Sequence, residues 1–87
     1  MTWHVELSPD AAKWLRKADP LVARRIRDTL RAVTTLESPR DRGKALTGGL
    51  AGLWRYRVGD YRVVCDIQDD RLIVVVIDID HRSSIYG

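Results

Sequence analysis

Leu53-Trp54-Arg55-Tyr56-Arg57-Val58-Gly59-Asp60-Tyr61-Arg62-Val63-Val64-Cys65-Asp66-Ile67-Gln68 reads as two strands joined by a two-residue turn. Apolar and polar side chains alternate on either side of Gly59-Asp60, and the glycine stands where a type II′ hairpin turn needs positive φ. A pleated strand sends alternate residues to opposite faces. Trp54, Tyr56 and Val58 therefore share one face, with Tyr61, Val63, Cys65 and Ile67 in the next strand. Arg55 and Arg57 share the other, with Arg62, Val64 and Asp66. With the turn at Gly59-Asp60, Val58 lies opposite Tyr61 and Arg57 opposite Arg62. The aromatic and aliphatic face is expected to cover helices, which leaves Arg55, Arg57 and Arg62 within one side-chain length of one another on the open face.

The segments upstream supply those helices. Trp3, Val5 and Leu7 alternate with His4 and Glu6 as a short first strand. Ser8-Pro9-Asp10 then gives an N-cap, a proline at the first helical position and an acid in the first turn. Ala11, Trp14, Leu15 and Ala18 line one side of this helix. Asp19-Pro20 repeats the start signal, and Val22, Ile26, Leu30 and Val33 recur at helical spacing with arginines around them. Two helices with almost no loop between them form an antiparallel hairpin. Ser38-Pro39 is expected to end the second helix. The polar, glycine-rich stretch from Arg40 to Gly52 reads as a loop, with a short strand or turn near Ala45-Leu46.

Downstream, Asp69-Asp70 marks another turn. Arg71-Leu72-Ile73-Val74-Val75-Val76-Ile77 is apolar on both faces, so it belongs inside the sheet with cover on each side. The expected fold class is α+β: an N-terminal strand, a two-helix antiparallel hairpin, then a three-stranded antiparallel meander with the helices on one face. The face that the helices leave bare suggests a protein partner, or else long arginine stems and the C-terminal tail as its cover.

The bulk numbers fit one domain over residues 1–87. A chain of this size buries only roughly 60% of its unfolded surface, and 45% hydrophobic with 31% charged residues is a globular composition. The net charge is +3, from 15 Lys and Arg against 12 Asp and Glu. So small an excess does not argue for nucleic acid; the placement of the charge does. Cys65 is the lone cysteine, which excludes a disulfide framework and a cysteine metal cluster. His4 and His81 show no metal-ligand spacing, so no metal and no cofactor is expected. The opening residues lead straight into strand alternation rather than a signal peptide, and the run Leu72 to Ile77 is too short to span a bilayer. The expected setting is the reduced cytoplasm, with no membrane partner.

Like charges directly opposite on a sheet are destabilising by about 0.2–1 kcal/mol, and a guanidinium cannot relieve this by losing its proton. Two readings follow. The arginines form a solvated face neutralised by Asp66 or by the Asp78/Asp80 pair, or they hold a polyanion. Guanidinium forks match phosphate oxygens two at a time, which favours a phosphate backbone, RNA in particular. In the tail, His81 belongs to the residue type that exchanges protons near neutrality, Arg82 adds a fixed cation, and Tyr86 offers a ring to stack on a base.

The chain resembles the RelE/ParE family of bacterial toxin–antitoxin proteins over nearly its full length. The likeness rests on the element order, Ser38-Pro39, and Lys44-Ala45-Leu46 with glycines following. Trp54-Arg55-Tyr56-Arg57-Val58-Gly59-Asp60-Tyr61-Arg62-Val63-Val64 and the closing His81-Arg82 with Ile85-Tyr86 complete it. The resemblance is strongest to the RelE-type ribosome-dependent mRNA endoribonucleases. It implies cleavage of mRNA in the ribosomal A site, silencing by an acidic cognate antitoxin, and contact with operator DNA only through that antitoxin. By motif position it implies catalytic roles for Arg55, Arg57, Arg62, Arg82 and Tyr86, and RNA binding by Lys44, Arg55, Arg57 and Arg62. Arg55 and Arg57 stand where RelE proteins usually carry lysines. An arginine stabilises charge but is a poor base, so proton transfer is assigned to His81. Two alternatives stay open: a ParE-like toxin that inhibits DNA gyrase without catalysis, and an inactive scaffold.

Overall fold

A computed structural model describes residues 2–81. Its strands are β1 (His4–Leu7), β2 (Lys44–Ala45), β3 (Trp54–Val58), β4 (Tyr61–Gln68) and β5 (Ile73–His81). The helices are α1 (Pro9–Lys17) and α2 (Pro20–Val33). The start signals act as the sequence predicts. The Ser8 hydroxyl accepts from the Ala11 amide at 3.1 Å, and the Asp19 carboxylate accepts from the Leu21 amide at 2.8 Å, each just ahead of a proline in the first turn. Helix α2 stops at Val33, earlier than Ser38-Pro39. Ser38 instead opens a separate 3-10 turn, Pro39–Asp41, closed by a reciprocal Ser38–Asp41 capping box.

The sheet is larger than a meander plus a free strand. Its order is β1-β5-β4-β3-β2, antiparallel throughout except that β1 runs parallel to β5. Strand β5 thus lies inside the sheet, as its apolar run predicts, between β1 and β4. The α1–α2 pair fills the long connection away from β1, and both helices pack on one face. Ala11 and Leu15 of α1 and Ala23, Ile26, Leu30 and Val33 of α2 are buried against Tyr56, Val63, Cys65, Val74, Val76 and Ile79 of the sheet. Trp14 and Val22 are half-buried at the rim of this core.

The short β2 comes from the glycine-rich stretch. Gly43 has φ +85°, and a Cβ there would strike the Arg55 carbonyl oxygen and the Trp54 indole, so only glycine lets the chain turn this tightly onto β3. The Trp54 Nε1–H also donates to the Arg42 carbonyl at 2.7 Å. At the β3–β4 turn Gly59 has φ +58° and Asp60 does not share the positive φ, which is the type II′ pattern.

One irregularity decides where β5 sends its side chains. Val64 pairs with Asp78, but the next residue, Cys65, pairs with Val76, so Ile77 is an extra residue bulged out of the ladder. The bulge is held by Ser8, whose amide donates to the Val76 carbonyl at 2.9 Å and whose hydroxyl donates to the Ile77 carbonyl at 2.8 Å. A single serine therefore caps α1 and fixes the kink in β5.

Candidate functional site: a cationic sheet face

The strand register builds the open face as two rows of side chains. Arg57 pairs with Arg62, and Arg62 with Asp80. In the neighbouring row Lys44 pairs with Arg55, Arg55 with Val64, and Val64 with Asp78. Directly opposed residues in antiparallel strands carry Cβ atoms about 4.5–5.5 Å apart. Lys44, Arg55, Arg57 and Arg62 thus form one cationic lattice at the β2–β3–β4 side of the sheet. Towards β5 and β1 the same face turns acidic, with Asp78, Asp80 and Glu6. The 3-10 turn and Gly43 bring in Arg42, which the sequence reading left out. Arg42, Gly43, Lys44, Arg55 and Arg57 line a depression of about 250 Å³. Nothing in the local sequence marks Arg42; its position follows from the tight approach at Gly43.

Among the described residues, the cations on this face lack direct counter-ions. Ion pairs among the described residues join Arg31 to Asp28, Arg40 to Asp69 and Arg71 to Glu6, and none involves Arg55, Arg57 or Arg62. The Nε–H of Arg62 is buried with no hydrogen-bond partner among the described residues. A buried donor left unmade costs about 1–3 kcal/mol, more for a charged group. Arg40 shows the alternative. Its Nη1 and Nη2 donate to the two carboxylate oxygens of Asp69 at 2.7 and 2.9 Å, and that bond holds the Asp69 carboxyl below the usual carboxylate range.

Asp80 is the carboxylate that shares a row with Arg57 and Arg62. Partial burial, a hydrogen bond with Asp78 and the charge of Asp78 raise its pKa, while the Arg62 guanidinium opposes the rise. Asp66 lies further along β4, opposite Val75, and accepts from the Gln68 side-chain amide at 3.1 Å.

His81 falls on the other side. Its register partner is Tyr61, and the two rings meet edge to face at 5.0 Å, while Tyr61 meets Trp14 of α1 in the same way at 5.5 Å. Tyr61 belongs to the helix-facing set, so the register does not bring His81 together with Arg57 and Arg62. The bulge at Ile77 is the cause: beyond it the faces of β5 exchange parity. Arg82 and Tyr86 lie outside the described residues.

Other nucleophilic or titratable groups serve the core. Burial pushes the Cys65 thiol up to about 12, which keeps it protonated and unreactive. The Tyr56 hydroxyl donates to the Pro39 carbonyl at 2.7 Å, and its burial raises its pKa too. Among the described residues no group of three or more His, Cys, Asp or Glu is placed to hold a metal ion, and no helix is long and apolar enough to cross a membrane.

Residues 5–86 match the profile of the family described as the ParE toxin of type II toxin–antitoxin systems, parDE. Among curated proteins, toxin RelE of Mycobacterium tuberculosis is 34% identical over 84 residues, which span 97% of this chain and 86% of that protein. Toxin RelG of the same organism is 43% identical over 44 residues, about half the length of each. Among solved structures, the RelBE2 toxin–antitoxin complex from M. tuberculosis contains a chain that superposes with a TM-score of 0.83 at 28% identity, covering 94% of this chain and 100% of that one. A double mutant of the E. coli toxin RelE in its free state superposes with a TM-score of 0.78 at 26% identity, covering 99% and 92%.

Proposed function

Because the chain belongs to the ParE toxin family of type II toxin–antitoxin systems, we propose that it is a RelE-type endoribonuclease that cuts mRNA on the ribosome and so inhibits translation. The observation that carries this reading is the row in which Arg57 opposes Arg62, neither guanidinium being in an ion pair among the described residues and the Arg62 Nε–H having no partner among them. The likeness in sequence and structure to RelE toxins favours RNA over gyrase as the target.

Cleavage proceeds by attack of the 2′ oxygen on the adjacent phosphorus, without a metal ion. Negative charge builds on the phosphoryl oxygens in the transition state. Arg55, Arg57 and Arg62 stabilise it from fixed positions on a rigid sheet, where donors aimed at developing charge act most strongly. Lys44 and Arg42 hold the neighbouring backbone phosphates at the rim. Arg82 and Tyr86 keep the roles that the resemblance implies, charge stabilisation near the leaving oxygen and stacking on a base. His81, turned towards Tyr61, braces the end of β5. His81→Ala should leave the cleavage rate within about threefold of wild type, against the 10²–10⁴-fold that a lost proton-transfer group gives.

The partner of this toxin is a cognate acidic antitoxin, in keeping with the toxin–antitoxin complexes among its structural neighbours. Operator DNA is reached through that antitoxin, and the site of action is the cytoplasm. Expression of the chain without an antitoxin, with primer extension on cellular mRNA, tests the reading. Growth arrest with cuts at defined codon positions is the expected result. Arrest with intact mRNA and relaxed or linearised DNA would move the assignment to gyrase.

A further inference from the structure

We propose that Asp80 is the general base of this site, taking the proton from the attacking 2′-hydroxyl. The inference rests on the endoribonuclease reading above and adds a residue to it. Arginines supply charge but do not exchange protons, and His81 lies across the sheet. On the arginine face, the groups able to carry a proton among the described residues reduce to His4, Glu6, Lys44, Asp66, Asp78 and Asp80. Lys44 sits at the outer edge strand, Asp66 lies towards the far end of β4, and His4 and Glu6 lie on β1, opposite Ile73 and Val75. Asp78 is in the row of Val64, and its Oδ1 accepts from the Ile79 amide at 2.9 Å. Asp80 alone stands in the row of Arg57 and Arg62, directly opposite Arg62. A phosphate gripped by these two arginines is thereby presented to the Asp80 carboxylate.

The surroundings suit the role. The charged groups facing Asp80 are Asp78 on its own strand, Arg62 on β4 and, beyond it, Arg57 on β3; β1 pairs with Ile73 to Val76 and does not reach it. Asp78 and partial burial make Asp80 more basic than an ordinary aspartate, while Arg62 restrains the change. A carboxylate of raised basicity is the better proton acceptor. In the step itself the 2′ O–H proton passes to Asp80 as the 2′ oxygen bonds to phosphorus. The bond from phosphorus to the 5′ oxygen breaks, giving a 2′,3′-cyclic phosphate, and the 5′ oxygen takes a proton from water.

The test is single-turnover cleavage of mRNA on programmed ribosomes by the full chain between pH 5 and 9, for wild type, Asp80→Asn, Asp78→Asn and Arg62→Ala. Thermal melting serves as the check of folding. The wild-type rate is expected to rise through a carboxylate titration and level off. Asp80→Asn should be about 10²-fold slower or worse, with a rate that climbs about tenfold per pH unit as hydroxide replaces the missing base. Asp78→Asn should stay active with its midpoint moved to lower pH. If folded Asp80→Asn cleaves within about threefold of wild type, or is slow but keeps the wild-type profile, Asp80 is not the base. Failure of Asp80 alone leaves wild type active and Arg62→Ala inactive. If wild type itself leaves ribosome-bound mRNA intact, the endoribonuclease reading fails and the Asp80 role with it.

Discussion

The two faces of one sheet treat polar groups in opposite ways. Under the helices, Tyr56 is buried with its hydroxyl bonded to Pro39, Cys65 is held as a protonated thiol, and the rest of the layer is aliphatic and aromatic. One residue further along the same strands, Arg57 and Arg62 oppose each other with no ion pair among the described residues, and a buried guanidinium N–H lacks an acceptor among them. The domain is able to pair an arginine well, as Arg40 and Asp69 demonstrate. The covered face is therefore arranged for stability. On the open face the opposed like charges cost a little stability instead.

The division can be broken from the covered side first. Ile26→Ala, at a fully buried position of α2, should lower unfolding free energy by about 2–5 kcal/mol while cleavage per folded molecule stays at the wild-type level. Denaturant melts and active-site-normalised rates check both halves. Ser8 joins the two faces, since it caps α1 and holds the bulge. Ser8→Ala should cost about 0.5–2 kcal/mol from the lost cap, and it should also reduce cleavage, because loosening the bulge lets Asp78 and Asp80 drift from the arginine rows. A loss of stability with unchanged cleavage would show that the bulge does not position the site. The smallest effect has the opposite sign. Arg57→Thr removes a like-charge opposition and should raise stability by about 0.2–1 kcal/mol even as cleavage falls.

Much of this arrangement is legible in the sequence, because the deciding signals are local. Gly59-Asp60 sets the hairpin register, and from it the opposition of Arg57 and Arg62 follows by counting. Ser8-Pro9 and Asp19-Pro20 announce both helices. The pairing of β1 with β5 is not local: alternation in Trp3, Val5 and Leu7 says that a strand forms but not which neighbour it joins or in which direction. Nor does alternation reveal the bulge. Counted strictly from Val74 and Val76, Asp78 and Asp80 would face the helices and His81 would face solvent beside the arginines. The extra residue at Ile77 reverses both placements. The sequence therefore points to His81 beside the arginines, while the folded register pairs His81 with Tyr61 and Asp80 with Arg62. Arg42 escapes notice for a similar reason, since a tight approach at Gly43, rather than any motif, brings it to the cationic depression.

The central claim is that the open face serves RNA cleavage and not stability. Arg62→Ala on programmed ribosomes, measured beside its thermal midpoint, tests it most directly. The account predicts a rate about 10²–10³-fold lower, the loss typical of removing one donor to a transition-state anion, with a midpoint equal to or above wild type. A folded Arg62→Ala protein that cuts within about threefold of wild type would contradict it.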